Sequence, residues 1–239
     1  MKITYLYHSG FSIELEHHVL LFDYYKGKLP KWEPDKKILV FVSHKHQDHF
    51  QMKIFDLISQ YKNIHFFLGS DIRLGDAYLL RKGIKPSVKE VITNAGKNTA
   101  FSYEDVQIET LRSTDAGVAF LVQAEGKSFY HAGDLNWWYW KEESRAWNTQ
   151  MEKAYKQEIS HIEGRHFDAA FVPLDPRLEE GAYLGLQYFL EHTDADRIFP
   201  MHLWDNYEII DRFRKTVDEK TAGKIVSITA PGMEFLDGR

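Results

Sequence analysis

The chain has 239 residues, 44% of them hydrophobic and 15% aromatic, which is typical of a globular protein with a large core. Its formal net charge of −5 argues against nucleic acid as a main partner, because phosphate binding requires a basic face. The sequence contains no cysteine, so it excludes disulfides and leaves histidine, aspartate and glutamate as the side chains that could bind a metal.

The N-terminal part of the chain predicts short strands separated by turns, and two helices. Apolar runs bounded by turn-forming residues predict the strands, and apolar residues at helical spacing predict the helices. Glu16-His17-His18 is interpreted as a solvated turn, and the Gly, Pro and Lys residues of 24–37 predict a loop. The predicted strands are residues 3–7, 11–15, 19–22, 38–42 and 64–68, and the predicted helices are residues 52–61 and 71–81.

The rest of the chain is first rich in predicted strands and then alternates strands with helices. The predicted strands are residues 88–93, 99–103, 106–111, 118–124, 128–131, 167–174, 197–199 and 225–229, and the predicted helices are residues 139–161, 183–192 and 204–217. This order suggests two sheets packed face to face with helices outside, although the pattern alone establishes only a mixed α and β protein. Since no repeat, low-complexity tract or linker interrupts it, we expect one domain over residues 1–239.

A dense group of potential metal ligands follows the predicted strand at residues 38–42. The group consists of His44, His46, Asp48 and His49. Imidazole and carboxylate are the nitrogen and oxygen ligands that zinc and similar divalent cations accept. In an extended segment His44 and His46 project to the same side. Asp48 and His49 come where a helix should begin and can face a second point, so the sequence predicts a metal site for one or two cations.

The segment His44-Lys45-His46-Gln47-Asp48-His49 resembles the signature motif of the metallo-β-lactamase superfamily of metal-dependent hydrolases. The opening Tyr7-His8-Ser9-Gly10-Phe11-Ser12-Ile13-Glu14 is similar to the start of the branch that includes the L-ascorbate-6-phosphate lactonase-like enzymes. Further motifs follow in order, so the resemblance spans nearly the whole chain. It implies an α+β fold, which is an αββα four-layer sandwich of two mixed β-sheets with helices on the outer faces.

The resemblance assigns roles to three residues outside this cluster. In His131-Ala132-Gly133-Asp134, small residues let the backbone approach a crowded site, and Asp134 matches the family's aspartate that bridges two metals. His202 matches the histidine that binds the second metal. Asp23 follows the strand predicted at 19–22 and matches an aspartate that steadies the ligands from behind.

Three further features of the sequence are expected near the site. The resemblance places the first turn, and with it His8, close to the metals, where His8 either orients substrate or hydrogen-bonds within the sheet; we assign it a supporting role. Of the rings in residues 137–140, at least one is expected to wall the pocket, and most are expected to pack a helix onto the core. Trp204 and Asp205 are expected to frame the mouth of the pocket.

One ligand that the resemblance implies is missing. The family has a histidine on the loop before the hairpin that leads to the Gly-Asp motif, but residues 107–127 contain none. Asp115 could substitute as an oxygen ligand, a water held by Ser113 or Thr114 could fill the gap, or the first metal could bind weakly in a mononuclear enzyme. We assign Asp115 to the site, since a carboxylate is adequate for zinc and suits manganese or iron(II) better.

The predicted activity is metal-assisted hydrolysis, with zinc as the expected cation and manganese or iron as alternatives. One cation is assigned to His44, His46 and Asp115, and a second to Asp48, His49 and His202, with Asp134 between the two. Asp48 and Asp134 are the catalytic candidates, because a carboxylate not saturated by metal can accept a proton or pass one to the leaving group.

The predicted substrate is a small ester, lactone or phosphorylated metabolite. One alternative is a phosphodiesterase or nuclease of the same fold, and the other is a degenerate metal-binding module without catalysis. Nucleic acid and membrane are not expected as partners, and a homo-oligomer stays open. The first residues do not resemble a signal peptide and no apolar run approaches ~18 residues, so we expect a soluble, cytoplasmic protein.

Overall fold

The computed structural model describes residues 1–237. The chain forms two compact units, of which the first comprises residues 1–97 with the C-terminal segment from 231, and the second comprises residues 98–230. Each unit contains its own mixed sheet. The expectation that residues 1–239 act as one domain stays a prediction.

The first unit contains a seven-stranded sheet. In spatial order its strands are β15 (Glu234–Leu236), β1 (Lys2–Tyr7), β2 (Gly10–Glu14), β3 (His18–Phe22), β4 (Lys37–Val42), β5 (Ile64–Gly69) and β6 (Ile92–Ala95). The pairs from β15 to β3 are antiparallel, and those from β3 to β6 are parallel. Its helical segments are α1 (Asp76–Arg81) and two 3₁₀ helices, Met52–Ser59 and Pro86–Val91.

The directions of these strands bring four loops of the first unit to one edge of its sheet. Both β1 and β3 pair antiparallel with β2 and therefore run the same way, and β4 and β5 are parallel to β3. The segments that follow these four strands begin at His8, Asp23, Ser43 and Ser70. In open sheets with parallel strands, ligands bind outside the carboxyl ends of the strands. This edge is therefore where a site is expected.

The middle of this sheet is buried on both faces, as is usual for parallel strands with continuous apolar runs. All residues of β3 and β5 are buried, and in β4 only Lys37 is partly exposed. Val40 and Phe66 share a buried cluster with Ile54 and Phe55 of the first 3₁₀ helix. Because full burial of such a side chain contributes about 1.5–3 kcal/mol, this core fixes the strands whose ends carry the polar residues.

The second unit contains a six-stranded sheet. In spatial order its strands are β14 (Ile198–Met201), β12 (Ala169–Pro173), β10 (Lys127–His131), β9 (Val118–Ala124), β8 (Val106–Arg112) and β7 (Ala100–Tyr103). A separate two-stranded sheet pairs β11 (His166–Phe167) with β13 (Asp194–Ala195). The helices are α2 (Arg145–Ser160), the 3₁₀ helix Pro176–Gly181, α3 (Leu184–His192), α4 (Glu208–Arg214) and α5 (Glu219–Lys224).

Three parallel strands of the second unit also end at one edge. β12 pairs parallel with both β10 and β14, so their carboxyl ends lie side by side. Asp134 follows β10, Asp175 follows β12 and His202 follows β14. The polar residues that follow the strands of the second unit are thus gathered by the strand order, as they are in the first.

The two mixed sheets with their helices confirm the predicted α+β class. The strand predicted at 225–229 is wrong, because Ile225 makes an isolated bridge to Ile198 and the last strand is β15. The prediction that His18 lies in a solvated turn is also wrong: it is the first residue of β3 and is 1% exposed. Within residues 1–237, no helix has the length and apolar character that crossing a membrane requires.

Several predicted helices are shorter than the sequence pattern indicates. The helix predicted at 139–161 begins only at Arg145, because the Ser144 side chain accepts the N–H of Trp147 and caps it there. The helices predicted at 71–81 and 204–217 are reduced to α1 and α4. The helix predicted at 52–61 is the 3₁₀ helix Met52–Ser59, and the strand predicted at 88–93 is largely the 3₁₀ helix Pro86–Val91.

Candidate metal centre

Three polar residues that directly follow strands have a left-handed backbone conformation. Their φ angles are 57° at His8, 42° at Asp23 and 62° at His202. A residue other than glycine adopts this conformation rarely, and such sparsely populated conformations cost of order 1–3 kcal/mol and concentrate at functional sites. All three side chains are almost completely buried, which makes these positions candidates for a functional site.

In the first unit, Asp23 connects the ends of β3 and β4. Its Oδ1 accepts the backbone N–H of Ser43 at 2.7 Å, and its Oδ2 accepts the Ser43 hydroxyl at 2.6 Å. The same Oδ2 lies 2.8 Å from Nδ1 of His49. A carboxylate at Nδ1 holds the proton there and leaves the lone pair of Nε2 available to a metal. These are the contacts of a residue that orients ligands; the supporting role assigned to Asp23 stays a prediction.

His44 and His46 direct ring nitrogens at one another. Nε2 of His44 lies 2.9 Å from Nδ1 of His46, and Nδ1 of His44 lies 2.9 Å from the Ser43 hydroxyl. His44 is buried, whereas His46 is exposed. Two imidazole nitrogens that face each other either share a proton or present two lone pairs to one cation, and the second arrangement is the one that a metal site uses.

Asp48 and His49 form a second group together with His8. Nε2 of His8 lies 3.4 Å from Oδ2 of Asp48, and the potential ligand nitrogens of His8 and His49 lie within 4.8 Å of each other. Burial of the Asp48 carboxyl would raise its pKa, but the neighbouring imidazole of His8 and the charge of His49 outweigh burial and hold the pKa well below its usual range. Asp48 is therefore a carboxylate at neutral pH.

The loop that carries these ligands is supported by the end of β5. Oδ2 of Asp71 accepts the backbone N–H of Lys45, between the two histidines of the motif, at 3.2 Å. Gly69 approaches Ser43 so closely that a Cβ atom at position 69 would lie 2.2 Å from the Ser43 carbonyl oxygen. Gly69 at the end of β5 and Asp71 in the segment that follows it thus fix the path of the backbone through the motif.

In the second unit, Asp134 and His202 lie side by side. Oδ1 of Asp134 is 2.7 Å from Nε2 of His202. The backbone carbonyl of Asp134 accepts the indole N–H of Trp138 at 2.9 Å, and the Trp138 ring lies edge-on to that of His202 with centroids 5.7 Å apart. Trp138 therefore packs against both candidate ligands; the expectation that a ring of residues 137–140 walls the pocket stays a prediction.

Asp175 and Arg177 extend this group, and neither is predicted from the sequence. Oδ2 of Asp175 lies 3.5 Å from Nδ1 of His202, and the Arg177 guanidinium contacts both oxygens of Asp175. Burial would raise the pKa of the Asp175 carboxyl, but His202 and Arg177 outweigh it and lower the pKa to about 2. Arg177 in turn lies 4.4 Å from the ring centroid of Trp204 and 5.8 Å from that of Trp140.

The structure does not gather Asp115 into a ligand group. Among residues 1–237, the clusters of three or more potential ligand atoms within 4.8 Å of one another do not include it. Its side chain is exposed, and its backbone N–H donates to the Ser113 hydroxyl at 3.1 Å. The Thr114 hydroxyl donates to the Asn136 carbonyl at 2.6 Å and accepts the Asn136 N–H at 3.0 Å. The assignment of Asp115 as a ligand stays a prediction.

Of the residues assigned from the sequence, the structure thus groups six in the first unit and two in the second. The six are His8, Asp23, His44, His46, Asp48 and His49, and the two are Asp134 and His202. Asp175 could have been found, because it is a carboxylate directly after a predicted strand, as Asp23 is. Gly69, Asp71 and Arg177 have no comparable signal in the sequence.

The sequence is similar to a known domain family and to proteins named metal-dependent hydrolases. The family model of the beta-lactamase superfamily domain matches residues 2–146. A protein named UPF0173 metal-dependent hydrolase from Opitutus terrae is 26% identical over 246 residues, covering 97% of this chain and 98% of that protein. A UPF0173 metal-dependent hydrolase from Bacillus velezensis is 23% identical over 248 residues, with 97% of each chain covered.

The fold has a counterpart among solved structures. Igni18, a metallo hydrolase from the archaeon Ignicoccus hospitalis, aligns with a TM-score of 0.62 and 18% sequence identity. The alignment covers 98% of this chain and 97% of that one. At this identity the likeness shows the fold alone.

Proposed function

Because this chain belongs to the metallo-β-lactamase superfamily, we propose that it is a metal-dependent hydrolase of a small ester, lactone or phosphorylated metabolite. The observation that carries the proposal is the group of imidazoles and carboxylates at the edge of the first sheet, in which Asp23 and Ser43 orient His44 and His49. The relatives named metal-dependent hydrolases support the same activity.

We assign the cation ligands to His44, His46, Asp48 and His49 of the first unit and to Asp134 and His202 of the second. The donor set contains only imidazole nitrogen and carboxylate oxygen, which suits zinc and also manganese or iron(II). That all six serve one centre, with Asp134 as a bridge between two cations, is part of the proposal.

The surrounding residues fit such ligands. Asp23 holds a proton on Nδ1 of His49, and Asp175 lies where it can do the same for Nδ1 of His202. In both rings Nε2 is then the nitrogen without a proton, and its lone pair points away from the carboxylate that lies at Nδ1. Carboxylate–histidine pairs of this kind fix the tautomer and raise the basicity of the ligating imidazole.

A divalent cation, when bound, lowers the pKa of a water molecule from ~15.7 towards ~7 and neutralises the oxyanion that forms during hydrolysis. The residues of this chain supply the proton chemistry around it. In this proposal an oxygen of Asp48 that is not used as a ligand accepts a proton and passes it to the leaving group. Asp134 is suited to bridging because its two oxygens can each contact one cation.

Arg177 supports an anionic substrate in this proposal. This side chain is 46% exposed, is held by Asp175 and is flanked by Trp140 and Trp204. A planar guanidinium held rigidly in this way suits the recognition of a phosphate or carboxylate group. A single cation between two indole rings favours a small anionic molecule over a nucleic acid backbone, which requires an extended basic surface.

The first test is metal analysis of the purified protein. We expect at least one equivalent of transition metal, and its loss on His46→Ala without loss of the folded state. His17→Ala, at a side chain that is 72% exposed and outside the site, is the control and should retain the metal.

The second test is a panel of lactones, phosphorylated sugars and a chromogenic phosphodiester, assayed with and without added zinc or manganese. Preferential hydrolysis of a lactone or a phosphorylated sugar is expected, with a loss of more than 100-fold in His46→Ala. Preference for the phosphodiester would establish the alternative activity. Less than one equivalent of metal, with no hydrolysis after metal addition, would establish a non-catalytic module.

A further inference from the structure

We propose that His8 is a direct ligand of the cation that Asp48 and His49 bind, so that the first unit supplies a set of two imidazoles and one carboxylate. The inference rests on the proposed function, because it requires the protein to bind a cation. It differs from the supporting role that the sequence predicts for His8.

The distances favour ligation over a hydrogen bond. Nε2 of His8 lies 3.4 Å from Oδ2 of Asp48, which is longer than the ~2.7–2.9 Å of a charge-assisted N–H···O bond. Metal–nitrogen and metal–oxygen distances at zinc are ~2.0–2.2 Å, so two atoms that bind the same tetrahedral cation are separated by about 3.4 Å. The spacing between His8 and Asp48 is therefore that of two ligands of one ion.

The ring of His8 is also positioned relative to His49. Their potential ligand nitrogens lie within 4.8 Å, and the ring planes are nearly perpendicular, at 81°, with centroids 5.7 Å apart. Perpendicular rings are not stacked on each other, so both can direct a nitrogen at a shared point.

The backbone conformation and the burial of His8 indicate that the fold holds this side chain in a fixed position. Its φ of 57° is unfavourable for a residue with a Cβ atom, and its N–H donates to the Tyr5 hydroxyl at 2.9 Å. His8 is 2% exposed, although it lies in a two-residue turn between strands, where side chains are usually solvated. A surface turn thus buries an imidazole at the edge where β3 and β4 also end.

The assignment also bears on the missing histidine. Residues 107–127 contain no histidine, and the exposed Asp115 is not gathered into a ligand group. His8 would add an imidazole donor at the second cation, and does not take the place of the missing histidine at the first. Two histidines and one carboxylate leave positions open for further ligands, water and substrate, as in catalytic zinc and non-haem iron sites.

The experiment compares cobalt(II) spectra of the full-length wild type, His8→Ala and His8→Cys. Visible cobalt bands report the number and type of ligands, so His8→Ala should change their intensity and position. His8→Cys should add an intense thiolate-to-cobalt charge-transfer band in the near ultraviolet. Because the chain has no cysteine of its own, such a band can come only from position 8.

Two reference variants separate ligation from support. Asp23→Asn alters a residue behind the ligands and should weaken zinc affinity by about 10–100-fold without changing the cobalt ligand set. His65→Gln alters a buried histidine of β5 that pairs with Thr93, and should leave cobalt and zinc binding at the wild-type level. His8→Ala should weaken zinc affinity more than Asp23→Asn does.

A wild-type cobalt spectrum in His8→Ala, or cobalt-loaded His8→Cys without the charge-transfer band, would overturn this inference and leave the proposed function intact. A wild-type protein that binds neither cobalt nor zinc would instead overturn the proposed function itself. Circular dichroism of each variant identifies one that fails to fold, and the remaining His8 variant then decides.

Discussion

Oδ2 of Asp175 lies 3.5 Å from Nδ1 of His202, and both side chains are almost completely buried. On the other side of the ring, Nε2 of His202 meets Asp134. The imidazole is thus held between a carboxylate that can orient it and a carboxylate that is a candidate ligand.

Replacement of Asp175 by asparagine tests this orienting role. The amide keeps the shape but removes the charge that favours a proton on Nδ1 of His202, so we expect a loss of about 10–100-fold in metal affinity. Competition with a metal-sensitive chelator measures the change. Asp211→Asn, at a 72% exposed side chain in α4, is the control. An unchanged affinity in Asp175→Asn would show that His202 is either not a ligand or is oriented without this carboxylate.

The close contact between Gly69 and Ser43 predicts that a larger side chain at position 69 destabilises the protein. In Gly69→Ala the new Cβ would lie 2.2 Å from the Ser43 carbonyl oxygen, so β5 or the ligand-bearing loop must shift. We expect a destabilisation of about 1–3 kcal/mol, as for other insertions into packed regions, together with weaker metal binding. Gly223→Ala, inside helix α5 where a Cβ meets nothing within 4 Å, should not destabilise the protein, because alanine is favoured over glycine within a helix. Urea denaturation of both variants measures the difference; equal stabilities would refute the prediction.

Arg177 should act on substrate binding in preference to turnover. Its replacement by methionine removes the guanidinium between Trp140 and Trp204, so we expect KM for phosphorylated or carboxylated substrates to rise by about 10–100-fold. KM for an uncharged lactone should change little, which makes that substrate the internal control. Steady-state kinetics on the two substrate types measure the difference, and an equal rise in KM for both would show that Arg177 does not recognise the anionic group.

The charged side chains around Asp194, at the small sheet of β11 and β13, should make the stability of the protein depend on pH. Lys224 and His166 donate to Asp194, and these hydrogen bonds lower the pKa of the Asp194 carboxyl to about 2. The hydrogen bond to Asp194 raises the pKa of His166 above its ordinary value. Because the pKa of the Asp194 carboxyl is lowered in the folded protein, its contribution to stability is fully present above the unfolded pKa of ~3.8. That contribution is lost as the pH falls towards 2. Because the pKa of His166 is raised in the folded protein, its contribution to stability is fully present below the unfolded pKa of ~6.5. That contribution is lost as the pH rises through the folded-state pKa.

The contribution of this group should therefore be greatest between about pH 4 and pH 6.5. Because the Asp194 and His166 side chains are 57% and 50% exposed and that of Lys224 is 27% exposed, we expect Asp194→Asn to cost no more than about 1 kcal/mol at pH 5.5. The cost should fall at pH 3 and, in part, at pH 8.5. Thermal unfolding of wild type and variant at the three pH values measures it, and a cost that does not vary with pH would contradict the pKa shifts.

The site residues that could be predicted from the sequence are those that lie close to one another along the chain. His44, His46, Asp48 and His49 follow one apolar strand, so their clustering is visible without a fold. The two mixed sheets could likewise be predicted, because continuous apolar runs such as β4 and β5 mark buried parallel strands.

The residues that sequence analysis missed become neighbours only through the order of the strands. Asp175 meets His202 because β12 and β14 are adjacent, and Asp71 meets Lys45 because β4 and β5 are. The apolar residues at 225–229 predict a strand, but Ile225 makes only an isolated bridge to Ile198, and the actual last strand is short and depends on pairing with β1. Long-range pairing of this kind is not encoded in local pattern.

The pairing of β15 with β1 makes the first sheet discontinuous in sequence, since its outermost strand is synthesised after the whole second unit. Until then β1 presents an open hydrogen-bonding edge, and the strand that ends at His8 lacks one of its two neighbours. An unpaired edge invites association with other chains. Folding on the ribosome therefore completes the N-terminal sheet last, and removal of the segment after residue 230 should favour aggregation of a chain that retains every proposed ligand.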